Sequence, residues 1–547
     1  MSDNSYAKLH ALIVDDFESF RITLSKMLHE LGIGSVDSAS SSSEALRYCS
    51  AKVYDVILCD QNLGKGKTGQ QILEVLRNQP NANSDSLFVL VSAESNKSII
   101  MAAYDYEPDA YLTKPITAQA LGQRLERLFK QRMALAPIYK AIKEQNINAA
   151  IQLCEAEIAA GNRYTGSCQK MLGRLLLQVG DVEKAEALYR AILDVRQLDW
   201  AMLGMAQTKK MQGNSLSAQQ WLEEIIQFNP LCLKAYDVLA SILAERGDLQ
   251  GQQKVLQKAV DISPLSILRQ QELGDVSFKN NDLLGAANAY RKAVKIGENS
   301  CHDNIKFHES FAHTGIQLAK LDKNLASTVV RDALKVMTEI PQRFGKASSV
   351  KMNALLLESQ LCVASGEERR AEELLVNAQK IINTDVSAVT LETRIELVRA
   401  LRELGNKSES DKIIVELLSE HEGNEDQLQK IDCLLDEPCS AKNKALMAQV
   451  NKDGIAFYEA KDFSRAADCF TSALQDFPQH IGLRLNFVQA LMGLVKGESE
   501  KASTLTMMQQ TMDYLRKIIP DNHAQFRRFR QLEDLLREMT KLAKSAN

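Results

Sequence analysis

The chain has 547 residues and a net charge of −4, with 45% hydrophobic and 25% charged residues. At roughly 100–200 residues per domain, that length implies several domains or a repeat array. No segment is basic enough to suggest nucleic-acid binding on charge alone. Counts of 10 Pro and 26 Gly exclude collagen-like and proline-rich disordered classes.

The first ~130 residues alternate short apolar runs with helical patterns, as α/β proteins do. Strands are predicted at His10–Val14, more weakly at Ser35–Ala39, and at Val53–Cys59, Leu87–Val91 and Ala110–Thr113. Helices are predicted near Ser19–Leu31, Ser43–Ala51, Gly69–Asn78, Ser95–Tyr104 and Ala118–Arg132. Crossovers of this kind return each strand in the same direction, so a doubly wound, five-stranded parallel sheet of the flavodoxin-like kind is expected.

After Pro137 no convincing strand is found, and Pro137 itself argues against one rigid helix joining the halves. Ala185, Ala218, Gln252 and Ala286 recur at intervals of 33, 34 and 34, each followed four residues on by Tyr189, Leu222, Leu256 or Tyr290. Gly180, Gly213 and Gly247 stand where a helix–helix turn needs them, and Pro230 and Pro264 end their units. A 34-residue helix–turn–helix period is the tetratricopeptide signature, so the region resembles tetratricopeptide-repeat (TPR) proteins, most clearly over 166–299. Between Ser300 and Ser440 the pattern is helical but degenerate, with loops at His421–Gln427 and Asp436–Ser440. Gly454, Phe457, Ala466, Phe470, Ala473 and Pro478 fit a further unit. A terminal helix over Ala524–Lys544 would cap the solenoid with a face of Phe526, Phe529, Leu532, Leu535, Leu536, Met539 and Leu542. The expected divisions are 1–132, 133–300, 301–440 and 441–547.

Ten cysteines without a C-x-x-C pair read as buried, reduced thiols rather than a disulfide scaffold or zinc finger. Met1-Ser2-Asp3-Asn4-Ser5 opens no signal-peptide pattern, and the apolar runs are far short of a membrane span, so a cytoplasmic protein without membrane insertion is expected.

Chemistry in open α/β sheets sits at the carboxyl ends of the strands. Here those ends carry Asp15, Asp16, Asp60, Ser92 and Lys114. Close carboxylates repel, and an oxygen-rich cluster of this kind suits Mg²⁺. Lys114 could hold a phosphoryl oxygen and Ser92 could donate to another.

Asp15-Asp16 after the first strand, Asp60 after the third, Ser92-Ala93-Glu94 after the fourth and Tyr111-x-x-Lys114-Pro115 at the fifth resemble the receiver domain of two-component response regulators, over about residues 8–132. The resemblance implies that Asp60 is the phosphoacceptor, a carboxylate nucleophile forming an aspartyl phosphate. It implies Mg²⁺ held by Asp15, Asp16, Asp60 and the backbone carbonyl of Asn62, with Lys114 on the phosphoryl group. Ser92 would be the switch hydroxyl and Tyr111 the switch aromatic, and the Lys114–Pro115 bond would be cis. One departure stands out: the glycine expected eight residues after the phosphoacceptor comes at nine, Gly69, in a loop with two added lysines.

Two motifs in that loop mislead. Gly64-x-Gly66-x-x-Gly69 follows the third strand rather than the first, and Gly66-Lys67-Thr68 has Gln61 where a P-loop needs glycine. Cys301, His302, Asp303, His308 and His313 lack ligand spacing and read as a solvated helical surface. No second catalytic set appears, so no enzyme activity is expected beyond the receiver's own phosphotransfer and dephosphorylation.

TPR arrays present a groove that binds proteins or peptides. The resemblance places Lys170, Arg174, Gln207, Lys210, Lys234, Asp237, Ser241, Gln271 and Asp275 on it, a mixed set in which no basic cradle for an acidic peptide stands out. The sequence therefore reads as a response regulator in which a histidine kinase or phosphotransfer protein phosphorylates Asp60. That event would remodel the face of the fourth helix, fifth strand and fifth helix and control protein binding by the array. One alternative is a phosphate sink that competes with another regulator for a kinase. Another is a transcription regulator with a DNA-binding unit in Ser300–Ser440, hinted at only by Arg369-Arg370 and Arg527-Arg528; the near-neutral array argues against it.

Overall fold

The architecture is that of a computed structural model, which describes residues 6–64, 66–78, 83, 85–93, 100–101, 105–495 and 501–545. Five parallel strands form one sheet in the order β2-β1-β3-β4-β5: β1 His10–Val14, β2 Ser35–Ala39, β3 Val56–Asp60, β4 Leu87–Ser92 and β5 Ala110–Thr113. Side chains alternate between its faces. Ala11, Ile13, Val56, Leu58, Val89 and Val91 share one core with Leu24, Leu28, Leu121 and Leu125, from the helices Glu18–Glu30 and Ala118–Ala134. Leu12, Val14, Ile57, Cys59, Phe88 and Leu90 share the other with Ala45, Ile72 and Leu73, from the helices Ser42–Ala51 and Gly69–Asn78. Covering both faces is what makes these strands apolar throughout. The helix predicted at Ser95–Tyr104 lies outside the described residues except for Ile100 and Met101. β3 begins three residues later than predicted. Val53 is exposed, and the Asp55 carboxylate accepts from the His10 N–H at the mouth of the strand pair instead.

Among the described residues no strand follows β5. The helix Ala118–Ala134 stops at Leu135, and Pro137 sits in the first turn of Ala136–Lys143, so the chain breaks where proline predicts it. The repeat positions are all buried: Ala185, Ala218, Gln252 and Ala286, then Tyr189, Leu222, Leu256 and Tyr290. Gly180, Gly213 and Gly247 have φ of +79°, +76° and +74°, the left-handed turn between the two helices of a hairpin. The next residue, Asp181, Asn214 or Asp248, then caps the following helix with its side chain. Tyr189 is wedged against Gly173 and Gly204, where an added Cβ would come within 2.3 and 2.2 Å of it. Gly454 stands to Phe470 as Gly173 stands to Tyr189, at the same sequence separation and with a Cβ distance of 2.4 Å. The late unit therefore uses the same packing device.

The chain divides into two compact units, Met1–Val276 with Lys292–Asp303, and Ser277–Arg291 with Asn304–Asn547. In the second, a short helix, Glu425–Ile431, begins inside the loop expected at His421–Gln427. The terminal helix Phe526–Ser545 buries Phe529, Leu532 and Leu536 in a cluster with Phe470, Leu485 and Met512. Leu535, expected on that face, is 49% exposed, and the Leu542 side chain lies outside the described residues. His308 is not solvated as expected: it is buried, with ring centroids 4.7 Å from Phe307 and 5.0 Å from Phe344. All ten cysteines are free; Cys49, Cys59, Cys154, Cys168 and Cys362 are buried, whereas Cys301 is exposed. No helix of the described residues is long and apolar enough to cross a membrane.

Two stability predictions follow from this packing. Gly204→Ala forces a methyl group into the Tyr189 ring and should destabilise the surrounding hairpins by about 1–3 kcal/mol. The chain's two tryptophans, Trp200 and Trp221, both lie there, so the midpoint of fluorescence-monitored denaturation reads the loss. In the second unit, burial pushes the Glu358 carboxyl from 4.5 up to about 7. The folded state then binds this proton more tightly than the unfolded one, so stability falls as pH rises through that window. Glu358→Gln should leave stability at pH 4 unchanged and raise it at pH 8 by roughly 2–3 kcal/mol, measured by denaturant titration at both pH values.

Candidate functional site

Register brings the expected residues together. Val14 pairs with Cys59, Asp60 with Val91, and Ser92 with Thr113, so the strand ends carrying Asp15-Asp16, Asp60, Ser92 and Lys114 are neighbours at one sheet edge. Backbone bonds hold these ends in place: Asp15 N–H to Ala39 O at 3.1 Å, Gln61 N–H to Val91 O at 2.8 Å and Lys114 N–H to Ser92 O at 2.8 Å. Carboxylate oxygens of Asp15, Asp16 and Asp60 lie within 4.8 Å of one another. Asp15 is 1% and Asp60 6% exposed, while Asp16 faces solvent. Lys114 Nζ donates to Asp15 Oδ2 at 2.8 Å and to Asp60 Oδ2 at 3.0 Å, and sits 4.2 Å from the centre of the Phe20 ring. The Lys114–Pro115 peptide is cis, as the resemblance implies.

Burial pushes the Asp60 carboxyl above its usual range, against the pull of Lys114. Burial alone would pull Lys114 down, but its bonds to Asp15 and Asp60 outweigh this and hold it above its usual value. Three carboxylates beside one ammonium leave the edge negative. A set of hard oxygen donors of that charge fits a divalent cation such as Mg²⁺.

The loop after β3 runs beside this edge. Asn62 accepts from the Gly64 N–H at 3.2 Å, and a Cβ on Gly64 would lie 3.6 Å from the Asp16 carboxylate. At Gly69 a Cβ would stand 2.2 Å from the Asp60 carbonyl oxygen. The helix Gly69–Asn78 can start this close to β3 only at a residue without a side chain, which is why the longer loop still ends in glycine. Ser92 is buried, and Tyr111 is half-buried on β5 opposite Leu90.

A second constellation lies within the first unit, where the turn Asp105–Glu107 meets the helical hairpins. Arg269 donates to both Asp105 oxygens at 2.8 and 2.9 Å, and to Asp237 at 2.6 and 2.8 Å. The Arg269 and Asp105 side chains are 9% and 12% exposed. Glu107 pairs with Lys234, and with Arg174 at 3.6 Å. Burial pushes Glu107 up, but Lys234, Arg174 and Lys170 outweigh it and hold the carboxyl below its usual range. Beside the turn is a cavity of about 790 Å³ whose walls include Lys170, Arg174, Gln207, Lys234 and Asp237, all expected on the groove. Lys210 instead pairs with Glu245 and Ser241, and neither it nor Asp275 is part of these walls. The expectation that no basic cradle stands out is corrected: Lys170, Arg174, Lys234 and Arg269 converge on two carboxylates. They come from three different hairpins, with the hairpin of Asp199–Met211 and Ser215–Phe228 passed over, and are not a run in sequence.

Arg269 was not foreseen. At the repeat intervals of 33, 34 and 34 it matches Cys168, Ala201 and Ala235, all fully buried. A charged residue at a core position was the signal available. A further contact surrounds the helix Gly69–Asn78. Its buried Glu74 accepts from Ser300 Oγ at 2.6 Å, Gln71 Nε2 donates to Glu298 O at 2.9 Å, and Asn78 lies 3.1 Å from His302. Of the histidines weighed as ligands, His302 has Glu74 and Cys301 within 4.8 Å, whereas His308 is packed among aromatics and His313 pairs with Glu396.

Residues 11–126 match the family model described as response regulator receiver domain. That part of the chain is a response regulator receiver domain, and the rest of the described chain is helical. The chemotaxis protein CheY of Pseudomonas aeruginosa is 29% identical over 120 residues, 22% of this chain and 95% of that protein. Chemotaxis protein CheY-3 of Vibrio cholerae is 29% identical over 122 residues, 22% and 91% of the two. Among solved structures, a CheY-like receiver domain from Methylobacillus flagellatus is 31% identical and covers 22% of this chain and 97% of its own, with a TM-score of 0.20.

Asp60 carries a buried charge that favours protonation, so it costs the fold stability at neutral pH. Asp60→Asn should raise the receiver's melting temperature in metal-free buffer by about 2–4 °C, what roughly 0.5–1 kcal/mol does in a domain of this size. Calorimetry at pH 7.5 checks it, and a lower melting temperature would show that the bond to Lys114 outweighs the burial.

Proposed function

We propose that the protein is a phosphorylation-regulated interaction protein of a two-component relay, acting in the cytoplasm. The observation that carries this reading is Lys114 bridging Asp15 and Asp60 at the carboxyl edge of a receiver sheet. Asp60 is the nucleophile: one carboxylate oxygen forms the bond to phosphorus as the bond to the donor's histidine nitrogen breaks. The donor is a histidine kinase or phosphotransfer protein. Asp15, Asp16, Asp60 and the Asn62 carbonyl would hold Mg²⁺, which when bound offsets the carboxylate charge against an incoming phosphoryl group. Lys114 then exchanges an Asp60 oxygen for a phosphoryl oxygen, Ser92 donates to another, and Tyr111 follows Ser92 inward on the neighbouring strand.

The helical region is read as a TPR array whose groove binds a protein or peptide. The 34-residue period, the left-handed turn glycines and the glycine–aromatic wedge support this. Its cations favour a protein ligand over nucleic acid, since Arg369 and Arg370 are paired with Glu373 and Glu367 and Arg528 is bonded to Asn486 and Gln489. Incubation with Mg²⁺ and acetyl phosphate should add one phosphoryl group to the wild type by intact mass, and none to Asp60→Ala or in excess EDTA. Lys114→Ala should slow the gain at least tenfold. A wild type that stays unmodified with both acetyl phosphate and a panel of histidine kinases removes the reading.

A further inference from the structure

The turn Asp105–Glu107 sits in the groove the way a ligand would. Three features of it are recognised. Met101 packs against Leu233, Tyr236 and Ala259. Four residues on, both Asp105 oxygens accept from the single Arg269 nitrogen Nη1, and Asp105 also takes a bond from Ser263 Oγ at 3.3 Å. Two residues further, Glu107 meets Lys234 and Arg174. Asp237 takes the bidentate fork of Nε and Nη2, which fixes the plane of the guanidinium. Asp105 takes the remaining nitrogen, a nearly buried charge-assisted contact that is sensitive to the loss of either partner. The cations come from the first helices of three hairpins, Thr165–Val179, Leu233–Glu245 and Ile267–Lys279, the side of the array on which peptide recognition is expected. The turn leaves part of the space open as the cavity of about 790 Å³.

We propose that the groove's ligand is an acidic segment of a partner protein, an apolar anchor followed by two carboxylates two residues apart, and that the turn Asp105–Glu107 is its intramolecular competitor. This deepens the interaction reading above and rests on it for the role of the array, though not for the role of Asp60. While the turn is seated, Arg269 and Lys234 are taken and the partner is excluded. When it leaves, Asp237 still holds Arg269 in place, and the groove presents a positioned guanidinium to an incoming carboxylate.

The probe is a fluorescein-labelled peptide copying residues 99–109 of this chain, followed by anisotropy against the full-length protein. Asp105→Asn with Glu107→Gln should bind it at least tenfold more tightly than wild type, and adding Arg269→Ala should reverse that gain. A peptide with Asn and Gln at the two carboxylate positions should bind at least tenfold more weakly. Tryptophan fluorescence and helical circular dichroism check that the variants fold; where the double variant does not, Glu107→Gln alone should show a gain of about threefold. A folded double variant that binds no better than wild type overturns the proposal, as does equal binding of the charged and neutral peptides. A beryllofluoride arm on wild type separates the two readings. If the substitutions open the groove to the charged peptide and beryllofluoride does not, the acidic ligand stands and control through Asp60 falls. If beryllofluoride opens it equally to both peptides, control stands and the acidic ligand falls.

Discussion

A carboxylate buried close to a second one needs a cation between them, and this protein supplies one at two places. At the sheet edge Lys114 bridges the buried Asp15 and Asp60; against the helical array Arg269 bridges a nearly buried Asp105 and a half-exposed Asp237. In each case one carboxylate belongs to a rigid frame and the other is the group proposed to change partner. Asp15 is fixed by the bond from the Phe17 N–H and by the pairing of its own backbone with Ala39. Asp237 is fixed by the helix Leu233–Glu245. Each cation keeps its framework carboxylate when the other one changes partner, so the exchange strands no buried cation. On the readings proposed above, a phosphoryl group would take the vacated place at Lys114 and a partner's carboxylate the one at Arg269.

The helix Gly69–Asn78 is the element that touches both places. Its first residue lies against the Asp60 carbonyl, which no side chain could allow. Its middle carries Glu74, buried and bonded to Ser300, and its last residue meets His302. Tyr106, beside Asp105, stacks on the same His302 at 5.8 Å. A displacement of the loop after β3 would therefore bear on contacts that steady the seated turn, through packed neighbours alone. Contiguity of this kind is a route for coupling and not a measure of it.

The receiver was legible from sequence because its constraints are local and repeated. Apolar runs of strand length end at charged residues, and β1, β2 and β5 match their predicted bounds. β3 differed because Val53 looks like a strand residue while the Asp55 carboxylate, immediately before the observed strand, is used as a cap. The array's hairpins were legible through small residues at fixed intervals, but the N-cap series Asp181, Asn214, Asp248 was an equally strong signal left unread. His308 stands next to Phe307 and three residues before Phe311, an apolar setting already visible in sequence; in the fold it packs against Phe307 and, from the end of the following helix, Phe344. The groove contacts were illegible for a different reason: Asp105 and Arg269 are 164 residues apart, and nothing local to either names the other.

What could have been read is the violation. A repeat tolerates only a small residue where its two helices close, and Cys168, Ala201 and Ala235 obey that rule. Arg269 breaks it. A guanidinium there cannot be left bare in a packed interior, so its presence demands carboxylates before any fold is known. Asp237 supplies one from the preceding hairpin, and a second must come from outside the array. Because Asp237 holds Arg269 at 2.6 and 2.8 Å whichever carboxylate fills the other side, the guanidinium is positioned before a ligand arrives. Little side-chain order then remains to be lost on binding, which is the condition under which a short acidic segment can bind selectively.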